Sequence, residues 1–428
     1  MNLFPPLALA VLAASVPDAY DTVIIDENVQ PVSFDCDIAA VSANTYSIRR
    51  AYEICAAFRH RRIPVVLGGN HPSIMYDEAS AHADAVVVGD GEGMWEHLLA
   101  DFEANRLQPL YHSERWSFDQ LIMPRRDLLS RSYRFSSLET VRGCPFDCDF
   151  CSVTRFHGAA SRWKPLAHIE KELKDLTGRT LFIVDDNIIG AGQESGQRAR
   201  KLFELLGSYR VKWMAQASIN IADDPEVLRT ARDNGCRFFF IGFESLNPEV
   251  LKSLNKRLNF RRKDTPCRDI VKRIHDQGIS IMGSFIVGTD YDTPETIRAL
   301  GEFIADSSID IPNVTVLTPY PGTRVYDRLR REGRLFNDKF WLMDPVPLFT
   351  FAPSMITVAE MRTTLLEMTE RHAGIFQGMK SFLKTMQHTH SLSIASFSLA
   401  ERLMNTRTAR DRLLSDAHAS DGSASQPV

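Results

Sequence analysis

Three cysteines lie close together in the segment VRGCPFDCDFCSVT, residues 141–154. Cys144, Cys148 and Cys151 are separated by three and then two residues. The chain has four other cysteines, which are scattered singly: Cys36, Cys55, Cys236 and Cys267. Grouped soft thiolates select zinc, copper(I) or an iron–sulfur cluster. In a chain this long a tight cysteine cluster is more often metal-binding or catalytic than part of a disulfide scaffold. The segment therefore predicts a metal centre.

The number of available ligands helps to distinguish a zinc site from an iron–sulfur cluster. A structural zinc site needs four ligands, commonly as two short pairs, and a four-iron cluster usually takes four cysteines. Here one loop provides three thiols, and the sequence has no second pair. His157, Cys236 and Cys267 are the candidates for a fourth ligand. Without one, a four-iron cluster would keep one iron open to bind a substrate directly.

The cysteine segment belongs to a series of predicted βα units. The apolar runs expected to be strands are LETVRG (138–143), TLFIVDD (180–186), KWMAQAS (212–218), RFFFIGFES (237–245), SIMGSFIVG (280–288) and NVTVLTP (313–319). Six such units fit a partial (β/α)6 barrel of the TIM type, whose sites lie at the carboxyl ends of the strands. We assign this barrel to residues 136–335, with the cysteine loop after its first strand.

A second α/β region precedes the barrel. Its predicted strands are apolar throughout, as in buried parallel sheets: TVIID (22–26), IAAVS (38–42), PVVLGG (64–69) and AVVVGDGE (85–92). Alternation with helical stretches such as residues 47–61 predicts a doubly wound, Rossmann-like domain over residues 1–125. Gly68, Gly69 and Gly89 stand at strand ends, where they could face a ligand or form tight turns.

The remaining segments carry less chemistry. Residues 340–415 are expected to be helical, and residues 416–428 to form a disordered polar tail. The first twenty residues are apolar. They could form an export signal, but the lack of a basic start favours a helix entered at Pro5–Pro6. The net charge of −4 favours neither nucleic acid nor an anionic membrane, and no apolar run is long enough to span one. We expect a cytoplasmic protein.

The C-x3-C-x2-C motif, with Phe150 before its last cysteine, resembles the radical S-adenosylmethionine (SAM) superfamily. The predicted position, in a loop after the first barrel strand, is similar too. The resemblance implies that Cys144, Cys148 and Cys151 hold a [4Fe–4S] cluster whose open iron chelates SAM. Reductive cleavage of SAM would then give a 5′-deoxyadenosyl radical. An electron donor such as flavodoxin or ferredoxin is implied as a partner.

Further positions match features of that superfamily. The resemblance assigns SAM binding to Phe150, Asp185, Gln216, Ser218, Glu244 and Gly288. Asp185 belongs to a carboxylate-rich element, VDDN (184–187). Gln216 and Ser218 would meet the ribose or methionine part, and Gly288 would let the backbone approach adenine. Two alternatives stay open: Asp185 could cap a helix, and Glu244 could form an ion pair within the barrel.

The N-terminal region resembles the cobalamin-binding-type domain of one radical SAM class. The similar segments are PPLALAVLAA, DENVQP, VSANTYSIRRAYEICAAFR, PVVLGGNHPS and VVVGDGEG. The resemblance implies that Ser42, Gly68, Gly69 and Gly89 line the slot for the nucleotide tail of cobalamin. This chain departs from the pattern in two ways. The family's first strand, ahead of the FPPL segment, is missing. No D-x-H-x-x-G motif is present, so no histidine is expected on cobalt.

The resemblance also suggests a reaction. LTPYPGTRVYDRLRREGRL (317–335) and the helical C-terminus resemble a subgroup that modifies hopanoids, tetrapyrroles and other natural products. We therefore expect cobalamin-dependent C-methylation of an apolar or polycyclic small molecule, with cobalamin-independent rearrangement or oxidative cyclisation as the alternative. A tRNA methylthiotransferase is disfavoured because its three further cluster cysteines cannot be supplied by Cys36 and Cys55. A non-catalytic metal-binding protein is the remaining alternative.

Overall fold

The protein is described by a computed structural model over residues 4–261, 266–372 and 375–421. Within these ranges the chain forms two parallel β-sheets, one short antiparallel hairpin and a group of C-terminal helices. None of the described helices is both long and apolar enough to cross a membrane. The predicted α/β architecture is confirmed.

The N-terminal sheet contains four parallel strands that follow one another in chain order. Its strands are β1 (Ala39–Ser42), β2 (Val65–Gly68), β3 (Ala85–Val88) and β4 (Leu110–His112). Its helices are α1 (Leu7–Ala14), α2 (Ile48–His60), α3 (Asn70–Ile74), α4 (Tyr76–Ala79) and α5 (Trp95–Glu103). The predicted entry of α1 at Pro5–Pro6 is confirmed, since Pro6 precedes its first residue.

The strand predicted for residues 22–26 does not form, and this segment has no regular secondary structure. A β-strand needs a neighbouring strand to pair its backbone groups. β1 lies at the edge of the sheet and pairs with β2 alone. Within the described ranges the other edge of β1 is therefore open, and residues 22–26 do not pair with it.

The barrel sheet has six parallel strands, ordered from the last to the first: β12, β11, β10, β9, β8, β5. Its strands are β5 (Ser136–Leu138), β8 (Thr180–Ile183), β9 (Lys212–Ala217), β10 (Cys236–Glu244), β11 (Ser280–Val287) and β12 (Ile311–Val316), and the hairpin is β6 (Val141–Arg142) with β7 (Arg162–Trp163). Its helices are α6 (Ser152–His157), α7 (Leu166–Lys174), α8 (Gly192–Ser208), α9 (Pro225–Asp233), α10 (Pro248–Ser253), α11 (Arg257–Arg261), α12 (Cys267–His275), α13 (Pro294–Asp306) and α14 (Arg324–Arg331). The predicted partial barrel is confirmed.

The first barrel strand differs from the predicted segment, residues 138–143. β5 ends at Leu138, because the backbone N–H groups of Thr140 and Val141 donate to the Asp185 carboxylate instead of continuing the sheet. The chain then forms β6, which pairs antiparallel with β7. The cysteine loop therefore follows this hairpin strand and lies just beyond the carboxyl end of β5.

Three helices complete the described chain: α15 (Val358–His372), α16 (Ile375–Thr389) and α17 (Leu392–Asp421). α17 extends through residues 416–421, which are part of the segment predicted to be a disordered tail, and residues 422–428 lie outside the described ranges. Phe397 of α17 contacts Phe135, which precedes β5, and Arg402 donates to the carbonyl of Ile309, which precedes β12. The helix therefore contacts the chain beside both edge strands of the barrel.

Candidate active site

The three cysteines lie in the loop between β6 and α6, at the carboxyl end of the barrel strands. Cys151 immediately precedes α6, and its backbone N–H donates to the Cys148 carbonyl at 3.2 Å. Cys148 is buried, and the other two thiols are half-buried. The loop therefore holds three cysteines in a partly enclosed position at the mouth of the barrel.

The VDDN segment after β8 holds the start of the cysteine loop. Both carboxylate oxygens of Asp185 accept hydrogen bonds from Thr140, and one also accepts from the Val141 N–H at 3.0 Å. Asp186 accepts from the Gly143 N–H at 2.8 Å. In this arrangement Asp185 braces the polypeptide next to the cysteines, and it caps no helix.

Asn187 connects two predicted SAM residues with the cysteine loop. Its amide nitrogen lies 2.9 Å from the Ser218 hydroxyl and 3.8 Å from the Cys144 sulfur. Gln216 donates to the Asp185 carbonyl at 3.4 Å. The structure thus brings Asp185, Gln216 and Ser218 together beside the cysteines. Asn187 was not among the predicted site residues, although it is part of the VDDN segment.

Glu244 ends β10 and pairs with a lysine that the sequence analysis missed. The Lys256 ammonium lies 2.8 Å from a Glu244 carboxylate oxygen and 6.0 Å from the centre of the Phe150 ring. Both charged side chains are buried or nearly so. The ion pair foreseen as the alternative role of Glu244 is therefore present. Lys256 follows α10 in a segment without a motif, so no spacing pointed to it.

Burial and charge act in opposite directions on the three thiols. Burial raises the pKa of Cys148 to about 12 and that of Cys151 to about 11, and it also raises the pKa of Cys144. The positive charge of Lys256 lowers all three values in part. A metal centre that binds thiolates must therefore displace protons here, and Lys256 reduces the cost.

The candidates for a fourth ligand have other positions or other contacts. Cys236 begins β10, and Glu244 ends it at the barrel mouth, about 26 Å further along the strand at about 3.3 Å per residue. Cys267 begins α12. His157 directs Nδ1 toward Asp90, at 3.6 Å, and toward Arg162, at 3.3 Å. The cysteine loop therefore contributes its three thiols without Cys236.

Gly288 follows β11 with a φ of +81°, a conformation that favours glycine. A Cβ at this position would lie 2.8 Å from the sulfur of Met361 in α15. The sequence predicted that Gly288 lets the backbone come close to the adenine of SAM. In this structure the side chain that comes close to Gly288 is Met361.

A cavity of about 510 Å³ opens beside the cysteine loop. Phe150 and Glu244 line it, together with residues from the ends of β11 and β12 and from α15 and α17. Its apolar wall includes Phe240, Ile286, Val314, Val316, Leu365 and Met368. The volume is in the range of small-molecule sites in proteins.

A second cavity, of about 410 Å³, lies at the carboxyl ends of β1, β2 and β3. Ser42, Gly68, Gly69 and Gly89 all line it. α1 covers one side, and Phe156 and His157 of α6 form part of the wall. The four residues that the sequence assigned to one slot are therefore together, and the slot borders the helix that follows the cysteine loop.

Buried ion pairs join the two domains beside this second cavity. Arg142 contacts Asp90 at 3.2 Å, Glu92 at 2.7 Å and Glu139 at 2.8 Å, and Arg162 contacts Asp90 at 2.6 Å. Asp90 and Glu92 follow β3, whereas the other residues belong to the barrel domain. These contacts fix the second cavity against the polypeptide around the cysteines.

Comparison with known proteins agrees with this arrangement. The family model described as the radical SAM superfamily matches residues 138–304, and the one described as the B12 binding domain matches residues 2–99. The bacteriochlorophyllide d C-8(2)-methyltransferase of Chlorobaculum tepidum is 31% identical over 353 residues, which cover 76% of this chain and 76% of that protein. The chain belongs to the radical SAM superfamily. Within it, the chain carries a B12-binding domain at its N-terminal side.

Two further proteins are similar to this radical SAM chain. The hopanoid C-2 methylase of Rhodopseudomonas palustris is 30% identical over 350 residues, which cover 78% of this chain and 66% of that protein. A solved structure of TsrM, a radical SAM methyltransferase from Kitasatospora setae with cobalamin and a [4Fe–4S] cluster bound, superposes with a TM-score of 0.69 and 16% identity. It covers 95% of this chain and 97% of that chain, so the fold is shared throughout.

The cofactors expected from the sequence are those that this pair of domains implies: a [4Fe–4S] cluster, SAM and cobalamin. The residues present fit them. One loop supplies three cysteines beside a cavity, which suits a cluster with one open iron. In the second cavity, a Cβ at Gly69 would lie 2.5 Å from the Ala43 carbonyl oxygen, so only glycine allows the chain to pass there.

Proposed function

We propose that this chain is a cobalamin-dependent methyltransferase that acts on an unactivated carbon of an apolar or polycyclic small molecule. The observation that carries the proposal is the position of the two cavities on either side of the cysteine-bearing segment. Phe150, within the loop, lines the first cavity, and Phe156 and His157, just after it, line the second. The printed names of the relatives, a bacteriochlorophyllide methyltransferase and a hopanoid methylase, support a polycyclic substrate.

In this proposal Cys144, Cys148 and Cys151 hold the cluster. Lys256 favours their thiolate forms, and Asn187 donates to the Cys144 sulfur. When bound, the cluster supplies the electron that cleaves SAM, and cobalamin supplies the methyl group. Asp185 and Asp186 hold the backbone at the start of the loop in place.

The predicted SAM residues divide into two groups. Phe150 and Glu244 line the first cavity, so they are proposed to contact SAM directly. One carboxylate oxygen of Glu244 is paired with Lys256, and the other is left to accept a hydrogen bond from SAM. Asp185, Gln216 and Ser218 are proposed to act through the loop and Asn187, and Gly288 through the packing of Met361.

The substrate is proposed to occupy the part of the first cavity between β12 and the C-terminal helices. Apolar side chains dominate this wall, and Tyr46, Tyr320 and Arg412 supply polar groups at its edge. This composition suits a largely apolar molecule that carries a few polar substituents. A small electron-transfer protein, such as flavodoxin or ferredoxin, is the proposed source of the electron.

The test is anaerobic reconstitution followed by turnover with SAM that carries a labelled methyl group. The wild-type chain should hold about four irons, bind cobalamin and release 5′-deoxyadenosine under reduction. Cys148→Ala should abolish iron binding and SAM cleavage, because two thiolates cannot retain the cluster. Cys236→Ala is the matched control: it removes a buried cysteine at the far end of the barrel and should leave both intact.

The position of the labelled methyl group after turnover distinguishes methyl transfer from the alternative reactions. Its appearance in a polycyclic product would support methyl transfer. A chain that cleaves SAM but cannot be loaded with cobalamin would contradict the proposal and favour cobalamin-independent rearrangement or cyclisation. Stoichiometric zinc on the three cysteines, without iron, would exclude radical chemistry altogether.

A further inference from the structure

A second group of metal-ligating side chains lies at the opposite end of the barrel from the cysteines. It consists of His275 at the end of α12, Asp310 just before β12 and His388 near the end of α16. One ligand atom from each residue lies within 4.8 Å of the others. Because the six strands are parallel, the start of β12 and the loops after the strands are at opposite ends of the sheet. This group is therefore separate from the candidate cluster site.

Asp310 is a buried carboxylate. Within the described residues it forms no ion pair with a lysine or an arginine. Its ion-pair contacts are with His275, at 2.9 Å, and with His388, at 3.4 Å. The Ile281 N–H donates to one oxygen at 2.8 Å, and the Thr385 hydroxyl donates to the other. These donors hold the carboxylate in a fixed orientation toward the two rings. A buried charge is costly unless a cation compensates it.

One ring nitrogen of His388 forms a hydrogen bond, and the other forms none among the described residues. Nδ1 lies 2.8 Å from the Lys384 carbonyl, which can only accept, so Nδ1 carries a hydrogen. Nε2 is buried, has no hydrogen-bond partner among the described residues and faces Asp310. Histidines that bind metals commonly donate their second ring nitrogen to a backbone carbonyl in this way. His388 therefore presents Nε2 as a ligand atom would be presented.

The two imidazoles are also arranged together. Their rings stack with centroids 4.0 Å apart and planes at 20°, and both direct Nε2 to the same carboxylate. The nearby cationic side chains bond elsewhere: Arg402 donates to the Ile309 carbonyl at 3.4 Å, and Lys384 donates to the Ser308 hydroxyl at 2.7 Å. Neither donates to a carboxylate oxygen of Asp310, although the positive charge of the buried Arg402 interacts with that carboxylate without a hydrogen bond.

We propose that His275, Asp310 and His388 bind a divalent cation of the zinc type. Two imidazole nitrogens and one carboxylate oxygen form a common zinc ligand set, with a water in the fourth position. Tetrahedral zinc with bonds of about 2.0–2.1 Å separates its ligand atoms by about 3.3 Å. The observed nitrogen–oxygen separations, 2.9 Å to one oxygen of Asp310 and 3.4 Å to the other, are close to this value. To bind one ion, the two stacked rings must turn out of their nearly parallel arrangement, so that both Nε2 atoms point to the same place.

The position of the site suggests a structural role. The three ligands come from α12, from the segment before β12 and from α16, so one ion would join the barrel to the C-terminal helices. α16 leads directly into α17, which contacts both edges of the barrel. The inference does not depend on the proposed methyl transfer, because it uses none of the residues assigned to the cluster, SAM or cobalamin.

The test uses the cluster-loaded chain, in which iron occupies the cysteines, and titrates it anaerobically with zinc. We expect about one zinc per chain. Its X-ray absorption spectrum should show nitrogen and oxygen ligands near about 2.0 Å with imidazole scattering, and no sulfur shell near about 2.3 Å. The wild-type thermal midpoint should rise with zinc concentration, because the ion binds the folded state.

Variants separate this site from the rest of the chain. His388→Gln and His275→Gln should each weaken zinc binding by at least about 100-fold, since losing a ligand exceeds the 10–100-fold cost of losing an outer partner. His390→Asn is the matched control. It removes an exposed histidine two positions away, and asparagine tolerates the positive φ of this residue. Its zinc affinity should equal that of the wild type.

Three results would overturn the inference. The first is a wild-type chain that binds no zinc beyond the iron site, in which case a protonated histidine compensates Asp310. The second is a sulfur shell around the zinc, and the third is unchanged affinity in a glutamine variant. If a variant fails to fold, the wild-type titration and spectrum decide the question by themselves.

Discussion

Asp185 shows how a single residue can be recognised from sequence and yet be used differently in the structure. Burial raises the pKa of its carboxyl group to about 7, although hydrogen bonds from Thr140 and Val141 act in the opposite direction. The group holds the first turn of the cysteine loop, where it contacts backbone N–H groups. Its protonation state therefore bears on the stability of the loop.

This environment predicts a specific pH dependence. A carboxyl whose pKa rises from 3.8 in the unfolded chain to about 7 in the folded one contributes stability that is complete below pH 3.8. That contribution is lost as the pH rises toward 7, at about 1.4 kcal/mol per pH unit. Asparagine does not titrate, so the unfolding free energy of the metal-free wild type should fall relative to Asp185→Asn between about pH 4 and pH 7.

The measurement is urea unfolding of both chains across that range under anaerobic, reducing conditions. Glu172→Gln, in α7, provides a comparison, because it alters a buried carboxylate that pairs with Lys164 and Arg126 and not with the backbone of the cysteine loop. Parallel curves for wild type and Asp185→Asn would mean that Asp185 stays ionised throughout, and that the donors outweigh its burial.

At the scale of elements, the carboxyl ends of β1, β2 and β3 shape the second cavity through two neighbouring glycines with different constraints. Gly69 has a φ of +102°, and a Cβ there would lie 2.5 Å from the Ala43 carbonyl oxygen. Gly68 lies within β2, and a Cβ there would meet Val87 at ordinary contact distances of 3.8–3.9 Å. Only Gly69 is required by the backbone itself.

The difference gives a clean test of the cobalamin slot. Gly68→Leu should preserve the fold, because a Cβ is tolerated, and its side chain should reduce cobalamin occupancy by filling the cavity. Iron content should not change. Gly69→Ala should instead lower the thermal midpoint, since it combines an unfavourable φ with a clash. Cobalamin absorbance and iron analysis of the purified chains measure both effects. Full cobalamin occupancy in Gly68→Leu would place the ligand elsewhere.

At the scale of the whole molecule, the chain returns from the barrel to its N-terminal domain. Trp341 is fully buried in the N-terminal core, where its indole N–H donates to Glu78 at 3.0 Å and its ring packs edge-on against His71. Lys339 also pairs with Glu78, at 3.0 Å. The segment after α14 thus connects the two domains a second time, in addition to the linker between β4 and β5.

Trp341→Ala should therefore loosen the N-terminal domain more than the barrel. Truncation of a buried tryptophan costs about 3–5 kcal/mol, and the loss should appear as faster amide hydrogen exchange in α2, whose residues share this core. Phe336→Ala, which removes an exposed aromatic from the same segment, should change exchange little. Equal protection of α2 in all three chains would show that the domains are stabilised independently.

The sequence by itself determined the features that depend on local spacing. The cysteine motif, the helical and apolar runs and the glycines after the strands are short patterns, and each specifies an element or a ligand type. They were sufficient for the α/β architecture and for five of the six barrel strands. They also identified four residues, predicted to line a cobalamin slot, that share one cavity.

Only the tertiary structure decided the features that depend on distant partners. The run at residues 22–26 has the composition of a strand but does not pair with the free edge of β1. The first barrel strand ends at Leu138, because the Asp185 carboxylate accepts hydrogen bonds from the backbone N–H groups of Thr140 and Val141. Lys256, Asn187 and the His275–Asp310–His388 group come together from separate loops and helices. Side-chain contacts between segments far apart in the chain leave no periodic signal, because each partner is compatible with many surroundings until the fold selects one.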